Sequence, residues 1–442
     1  MKKQVMNEYT DAIKESLLSL LAVNSVQGEK AEGAPFGKGT REALERYLTL
    51  AASFGLRTKV VDGYCGWAEI GEGELLGIPF HLDTVPFGSD WSHSPLGEIA
   101  IEKGQEVIYG RGTEDDKGPA IAVLYALKSL LDEGRKPRRR IRLIAGLNEE
   151  SGWKCIERYL ATEETPALSF SPDADFPVIY CEKGVLHACV SLPKDDSILS
   201  FTGGERVNMV ADRATLDVKS LSDAAFSKCL KGGIKVKFIE GGFRLVAEGV
   251  SAHGSTPDKG DNAILKILYA AKSTSEPLAD LYDYFGKTNG EGLGVQMTND
   301  EIGDLTMNLG RVRTEGERLL FSVDIRYPAP HTEEEVISLM KKALGADAEI
   351  TVEGRHLPLY VSPDSELVTS LLAAYNEVTG ESASPIAIGG ATYARAFPNA
   401  VAFGPVFPGE ESRIHQKDES IAVSALVKCA EIYRAALLKL AF

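Results

Sequence analysis

Long apolar runs, basic charge and paired cysteines are what this 442-residue chain is short of. No stretch reaches the ~18 consecutive apolar residues that a membrane span needs. The start, Met1-Lys2-Lys3-Gln4-Val5, lacks the apolar core of a secretory leader. Lysine and arginine number 48 against 64 acidic residues, a formal net charge of −16. That balance excludes a phosphate-backbone partner, so no nucleic acid is expected. The one basic run, Arg135-Lys136-Pro137-Arg138-Arg139-Arg140, reads as a solvated connection between a helix and a strand. The six cysteines are scattered with no CxxC spacing, too sparse for a disulfide scaffold. These absences point to a cytoplasmic protein without a membrane partner.

What is present is ordinary globular composition, 44% hydrophobic and 25% charged, in a chain long enough for two or three domains. Amphipathic helices are expected near 8–22 and from Thr40, read as an N-cap, to Phe54. Strand patterns follow at 57–61, 66–70 and 75–80, then a helix from Pro119 to about 131. Apolar strands at 141–147 and 168–170 come next. Strands alternating with helices predict an α/β domain with a mostly parallel sheet flanked by helices. From 187 to 361 the pattern becomes β-rich with two helices, near 262–273 and 332–344, which predicts an inserted α+β domain. Alternation then resumes to a closing helix near 422–440. The expected organisation is a first domain of 1–186 and 362–442, interrupted by a second of 187–361. The glycine-containing stretch Leu278–Gln296 reads as irregular.

Acidic and histidine residues gather where strands end. His81 and Asp83 follow the run Leu75–Phe80 and point to one side of an extended chain. Alone, such a pair is as readily an imidazole satisfied by its neighbour. Asp115 lies in Gly110-Arg-Gly-Thr-Glu-Asp115-Asp116-Lys117-Gly118, and Glu149-Glu150 follows the strand at 141–147. Asp173 follows the one at 168–170, and His415 lies near the C-terminus. Two imidazoles and several carboxylates in one cleft repel unless cations neutralise them, and a pair of divalent metals does so economically. One such arrangement bridges two ions with Asp115, placing His81 and Asp173 on one and Glu150 and His415 on the other. Glu149 then remains free to take a proton from a shared water. Asp116 reads as supporting rather than ligating, and Asp418 as an N-cap. His93, His187, His331 and His356 carry no motif and read as surface or packing residues.

Taken in order, His81-Leu-Asp83-Thr-Val-Pro86, the Asp115-Asp116-Lys117-Gly118 motif, Asn148-Glu149-Glu150-Ser-Gly152 and Pro172-Asp173-Ala174 resemble the aminoacylase/carboxypeptidase family of co-catalytic dinuclear metallopeptidases. Spacing and inserted-domain sequences resemble its bacterial peptidase V-like, Xaa-His dipeptidase branch, over nearly the whole chain. The chain is somewhat short for that branch. The resemblance implies a zinc-exopeptidase-like fold with a lid domain, Asp115 as the bridge followed by a cis peptide bond, and Glu149 as the base. It makes Asp83 the residue that orients His81. In the lid, His253 of Ser251-Ala-His253-Gly254 is implied to stabilise an oxyanion. Asn208 and Arg326 are implied to grip a substrate carboxylate. Gly389-Gly390-Ala391-Thr392-Tyr393-Ala394-Arg395 resembles a substrate loop, with Arg395 as a further cationic contact.

The function expected is a metal-dependent dipeptidase acting on short peptides with a free C-terminus. Its cofactor would be two divalent ions, Zn2+ first, with Mn2+ or Co2+ able to occupy the same donors. An N-acyl-amino-acid deacylase or desuccinylase would share the metal site. A non-catalytic metal-bound module is disfavoured by Glu149, which metal binding does not require. Either a monomer or a homodimer fits.

Overall fold

The computed structural model describes residues 5–390 and 392–442; positions 1–4 and Ala391, part of the expected glycine-rich loop, lie outside the described residues. The chain divides into two units. The first comprises 5–180, 360–386 and 392–442, the second 181–359 with 387–390. The strand Gly184–Pro193 runs through position 187 without a break, so the passage into the second unit comes earlier in the chain than the change of sequence pattern.

The first unit is organised on the strand Leu75–His81, all of whose residues are buried. A near-continuous apolar run of this kind suits a strand covered on both faces. It lies parallel to Arg140–Gly146 and to Leu168–Ser171, and the latter is parallel to Ala400–Ala402. Cys65–Ile70 and Arg57–Val61 extend the sheet in antiparallel fashion beyond Arg140–Gly146. The sheet is therefore mixed, its parallel part confined to four central strands. The link between Val61 and Cys65 is far too short for the crossover a parallel pair demands. The helix Lys117–Asp132 is buried on nearly every side, since its apolar residues occupy all faces. It packs on the closing helix Val423–Ala441. Pro119 falls in its first turn, where no intrahelical N–H is needed.

Two local expectations change. Helix Lys38–Ser53 begins before Thr40, with Gly37 in the cap position, and the Thr40 hydroxyl donates back to the Gly37 carbonyl at 2.9 Å. The basic run is less solvated than its composition suggested. Arg139 pairs with Glu366 and Glu74, and Arg140 with Glu164.

The second unit is an eight-stranded antiparallel sheet. Four helices, Asp223–Lys231, Ala263–Ala271, Glu276–Phe285 and Glu333–Leu344, share one core with its inward residues. Two of these were not expected. Glu276–Phe285 lies largely within the stretch read as irregular, where its apolar stripe (Leu278, Leu281, Phe285) spans only ten residues before Gly286. Among the described residues no helix is long and apolar enough to cross a membrane.

Candidate metal centre and substrate-recognition residues

Three parallel strands of the first unit deliver side chains at their C-terminal ends, where open α/β sheets present their ligands. His81 is the last residue of its strand and stands in register with Gly146. Glu149 and Glu150 follow Gly146 by one turn, and Asp173 follows Ser171. Glycine at 146 is required by packing: a Cβ there would lie 2.1 Å from the Tyr393 hydroxyl. Asp115 comes from the turn that opens helix Lys117–Asp132, and the Asp115–Asp116 peptide bond is cis.

The tertiary structure gathers these residues around Asp115. Its Oδ1 lies 2.6 Å from His81 Nε2, and its Oδ2 lies 3.0 Å from His415 Nε2. Asp173 Oδ2 is 3.9 Å from His81 Nε2, and Glu150 Oε2 is 3.0 Å from His415 Nε2. One carboxylate thus faces two imidazoles with its two oxygens, and each imidazole has a further carboxylate beside it. The ligand atoms of His81, Asp115 and Glu150 lie within 4.8 Å of one another, as do those of His81, Asp116 and Asp173.

The tautomer of His81 follows from its partners. Nδ1 meets the main-chain carbonyl of Asp83 at 2.9 Å. A carbonyl only accepts, so Nδ1 carries a proton; the carboxylates at Nε2 also only accept, so that side is completed by a second proton or by a metal cation. Here the structure differs from the expectation for Asp83. Its carboxylate stands 3.7 Å from the ring and instead accepts the main-chain N–H groups of Glu149 and Glu150, at 3.1 and 3.2 Å. Asp83 therefore orients His81 through its backbone and the Glu149-Glu150 turn through its side chain.

The electrostatics describe a cluster that draws positive charge. Burial, reinforced by the Asp115 carboxylate, holds Asp173 well above the usual carboxylate range. Burial also lifts Glu149 to about 7, with Asp115, Glu150 and Asp83 adding to it against the opposing His81. Asp115 is held below its ordinary value, because His81 and His415 outweigh its burial. Hydrogen bonds to Asp115 and Glu150 raise His415 to about 10. Asp116 accepts the His81 N–H through Oδ2 at 3.2 Å, while its Oδ1 is buried with no hydrogen-bond partner. An orphaned carboxylate oxygen among such donors fits a divalent cation. Asp116 therefore lies closer to the centre than a supporting role implied, and the aspartate doublet was its only sequence signal.

Further residues were not foreseen. Trp153 Nε1 donates to Glu149 Oε1 at 3.0 Å. Glu419 is fully buried and paired with Arg111. Asp418 is not a helix cap: the closing helix starts at Val423, and the Asp418 carboxylate accepts from Ser92 and His93. His93 stacks on Tyr109, as a packing histidine would. Arg395 lies in the short turn Tyr393–Ala396, whose first residues are capped by Thr392.

In the second unit, His253, Asn208 and Arg326 belong to one neighbourhood. The Asn208 carbonyl accepts from Gly254 N at 2.8 Å, and Met209 and His253 form a β-bridge. His253 Nδ1 accepts the Ser255 N–H at 3.1 Å, which leaves the proton on Nε2. Partial desolvation and the Arg326 cation hold this histidine below its ordinary pKa, so the ring is a neutral donor. Arg326 is buried, and its Nε and Nη2 donate to the two oxygens of Asp324 at 2.7 and 2.9 Å. Half of its fork is thus committed within the unit, and the edge containing Nη1 is what remains for a ligand carboxylate. Gly254 must lack a side chain, since a Cβ would sit 2.5 Å from Asp324 Oδ2. His187, read from sequence as a packing residue, brings Nε2 to 3.5 Å from Asp324 Oδ1. Asn308 holds the Asn208 segment by donating to the Val207 and Met209 carbonyls. Asp324 stands in the Asp324-Ile-Arg326-Tyr-Pro stretch without a role read for it, and no motif marked Asn308, which strand pairing brings opposite Asp324.

A mixed α/β unit with imidazole and carboxylate donors converging at its strand ends defines the class: a hydrolase built around divalent metal ions. A model of peptidase family M20/M25/M40 matches residues 77–439, and the chain belongs to that family. It is 34% identical over 467 residues to "Putative dipeptidase YtjP" of Bacillus subtilis, covering 99% of each chain. A Staphylococcus aureus relative named "Putative dipeptidase" is 34% identical over 470 residues, covering 100% of this chain and 99% of that one. Among solved structures, aminopeptidase PepT from Bacillus cereus superposes with a TM-score of 0.59 at 17% identity, over 97% of this chain and 98% of that one. Human carnosine dipeptidase 1 gives 0.57 at 14%, over 99% of both. These structural likenesses show a shared fold.

Proposed function

We propose that this peptidase is a dipeptidase that hydrolyses the single peptide bond of substrates carrying a free C-terminal carboxylate. The observation that carries the reading is Asp115, whose two oxygens each face an imidazole, with the Glu149 carboxyl close enough to feel its charge. In this reading His81, Asp115, Asp173, Glu150 and His415 hold two divalent ions, and the mixed imidazole–carboxylate set suits Zn2+, with Mn2+ and Co2+ as competitors. A bound ion pair supplies a water of lowered pKa and a Lewis acid for the carbonyl oxygen. Glu149 accepts the proton from the attacking water. After the carbon–nitrogen bond breaks, it returns that proton to the leaving amine. Its position beside Asp115 and its hydrogen bond from Trp153 support that role. The neutral Nε2–H of His253 donates to the oxyanion that forms at the carbonyl. Asn208 and the free edge of Arg326 bind the substrate carboxylate, and Arg395 is a further cationic contact. The six free, buried cysteines accord with a reducing compartment such as the cytoplasm.

The test is a panel assayed with metal-reconstituted protein: free dipeptides, the same dipeptides as C-terminal amides, and N-acyl amino acids. Free dipeptides should lead. The amides should lose about 30-fold or more in kcat/KM, the cost of one charge pair worth ~2 kcal/mol. Faster turnover of N-acyl amino acids than of any dipeptide would replace the dipeptidase reading with a deacylase.

A further inference from the structure

The carboxylate of Glu419 has no place in the reaction just described, yet it is completely buried beside Asp115. Its Oε1 accepts main-chain N–H groups from Gly112 at 3.0 Å, Glu114 at 3.1 Å and Asp115 at 3.4 Å. Its Oε2 accepts from Arg111 Nη1 at 2.6 Å. Its own carbonyl accepts the Gly110 N–H at 3.0 Å. The turn from 110 to 115 therefore folds around this one side chain, as backbone amides fold around a bound anion. Immediately after it, Ser420–Ala422 pairs antiparallel with Gln105–Tyr109, which fixes the two segments in register.

Four residues before Glu419 is His415. Both His415 and Asp418 adopt left-handed backbone, at φ +63° and +57°. Such conformations are uncommon for residues with a side chain and persist where surrounding contacts enforce them. Two pins enforce them here. The Asp418 carboxylate accepts from Ser92 N at 2.8 Å, Ser92 Oγ at 3.0 Å and His93 N at 3.2 Å. Glu419 is the second pin, and its other end is the main chain of Asp115.

We infer that Glu419 is a positioning residue that sets the Asp115 carboxylate against His415, and so determines how tightly one of the two metal ions is held. The ion affected is the one assigned to Asp115, Glu150 and His415. The other ion shares the Asp115 bridge but keeps His81 and Asp173, each held at its own strand end, so it is less sensitive to Glu419. The inference rests on the dinuclear reading of the site, and the experiment separates the two.

Full-length protein is stripped of metal and titrated with Co2+, following both visible absorption and heat, for wild type, Glu419→Gln, Glu419→Ala and the ligand variant Glu150→Ala. Unfolding temperatures of the metal-free proteins are measured alongside. Glu419→Ala should bind one Co2+ close to wild-type affinity and the second 10–100-fold more weakly, as is typical when a ligand's supporting partner is lost. The absorption of the weakened site should also change. Glu419→Gln, which keeps one accepting oxygen, should recover part of the affinity. A Glu419→Ala protein that binds both ions with wild-type affinity and spectrum overturns the inference, whatever its unfolding temperature. If that variant does not fold, wild-type affinity and spectrum in Glu419→Gln overturn it equally. Loss of one ion in Glu150→Ala but in neither Glu419 variant refutes Glu419 alone. Failure of wild type to bind Co2+, or full binding by Glu150→Ala, removes the dinuclear reading and the inference with it.

Discussion

The two units handle buried charge in opposite ways. The first gathers carboxylates of one sign around two imidazoles and leaves a buried oxygen of Asp116 unpaired. The second buries Asp324 against Arg326 in a two-pronged pair that is neutral by itself. A cluster with more carboxylates than cations is completed by a cation from outside, whereas a paired one is complete on folding. The first arrangement suits a metal centre. The second suits a recognition group, because Asp324 orients the arginine while one edge of its fork stays available.

The largest effect should come from removing metal. A chelator should abolish dipeptide hydrolysis and lower the unfolding temperature. A site saturated at about 1,000 times its Kd loses ~4 kcal/mol when emptied. An unchanged unfolding temperature in chelator would show that the first unit is self-sufficient and break the contrast. Next is Glu149→Gln, expected to cut kcat by about 10²–10⁴-fold while retaining both metals. Near wild-type turnover at full metal loading would transfer the base role elsewhere.

A third test addresses the second unit. Burial would raise Asp324, but His187 and Arg326 outweigh it and hold its carboxyl below the ordinary range. A depressed folded pKa means the unfolded chain binds more protons in acid. The stabilisation is therefore fully present above an unfolded pKa of ~3.9 and is lost as pH falls through the folded value. Asp324→Asn should destabilise by roughly 3 kcal/mol at neutral pH, because it leaves Arg326 buried without its counter-charge. In urea unfolding that difference should shrink below about pH 4. A pH-independent difference would mean Asp324 acts by shape, not charge. The smallest effect is Trp153→Phe, which removes the indole donor to Glu149. It should cost about 1 kcal/mol, roughly five-fold in kcat, with no change in metal content.

Much of the site was legible because its residues sit in short motifs at strand ends. The apolar run before His81 predicts a buried strand, and a strand's end is a defined place. Legibility failed where a side chain's partner is distant in sequence. Asp418 precedes a helix and invites a capping role, but Ser92, 326 positions away, claims its carboxylate. Glu419 carries no sequence signal, because the amides that its carboxylate accepts lie in the turn at 110–115, more than 300 positions away. His187 has no motif, and only the pairing of Gly184–Pro193 with Arg318–Tyr327 brings it opposite Asp324. In the second unit, the strand Ile198–Gly203 alternates weakly and the helix Glu276–Phe285 is only ten residues long before Gly286, so periodicity gave little warning of them, whereas Arg213–Val218 alternates strictly and was legible.

By itself the sequence determined which donors exist and that most stand at the ends of buried strands, because hydrophobic periodicity and motif spacing act over a few residues. Only the tertiary structure decided how they meet. It set His415 against Asp115 and Glu150, turned the Asp83 carboxylate to the Glu149-Glu150 amides instead of the His81 ring, and brought His187 opposite Asp324. Those choices depend on strand register and on which buried polar groups must satisfy one another, and both are properties of the whole packed chain.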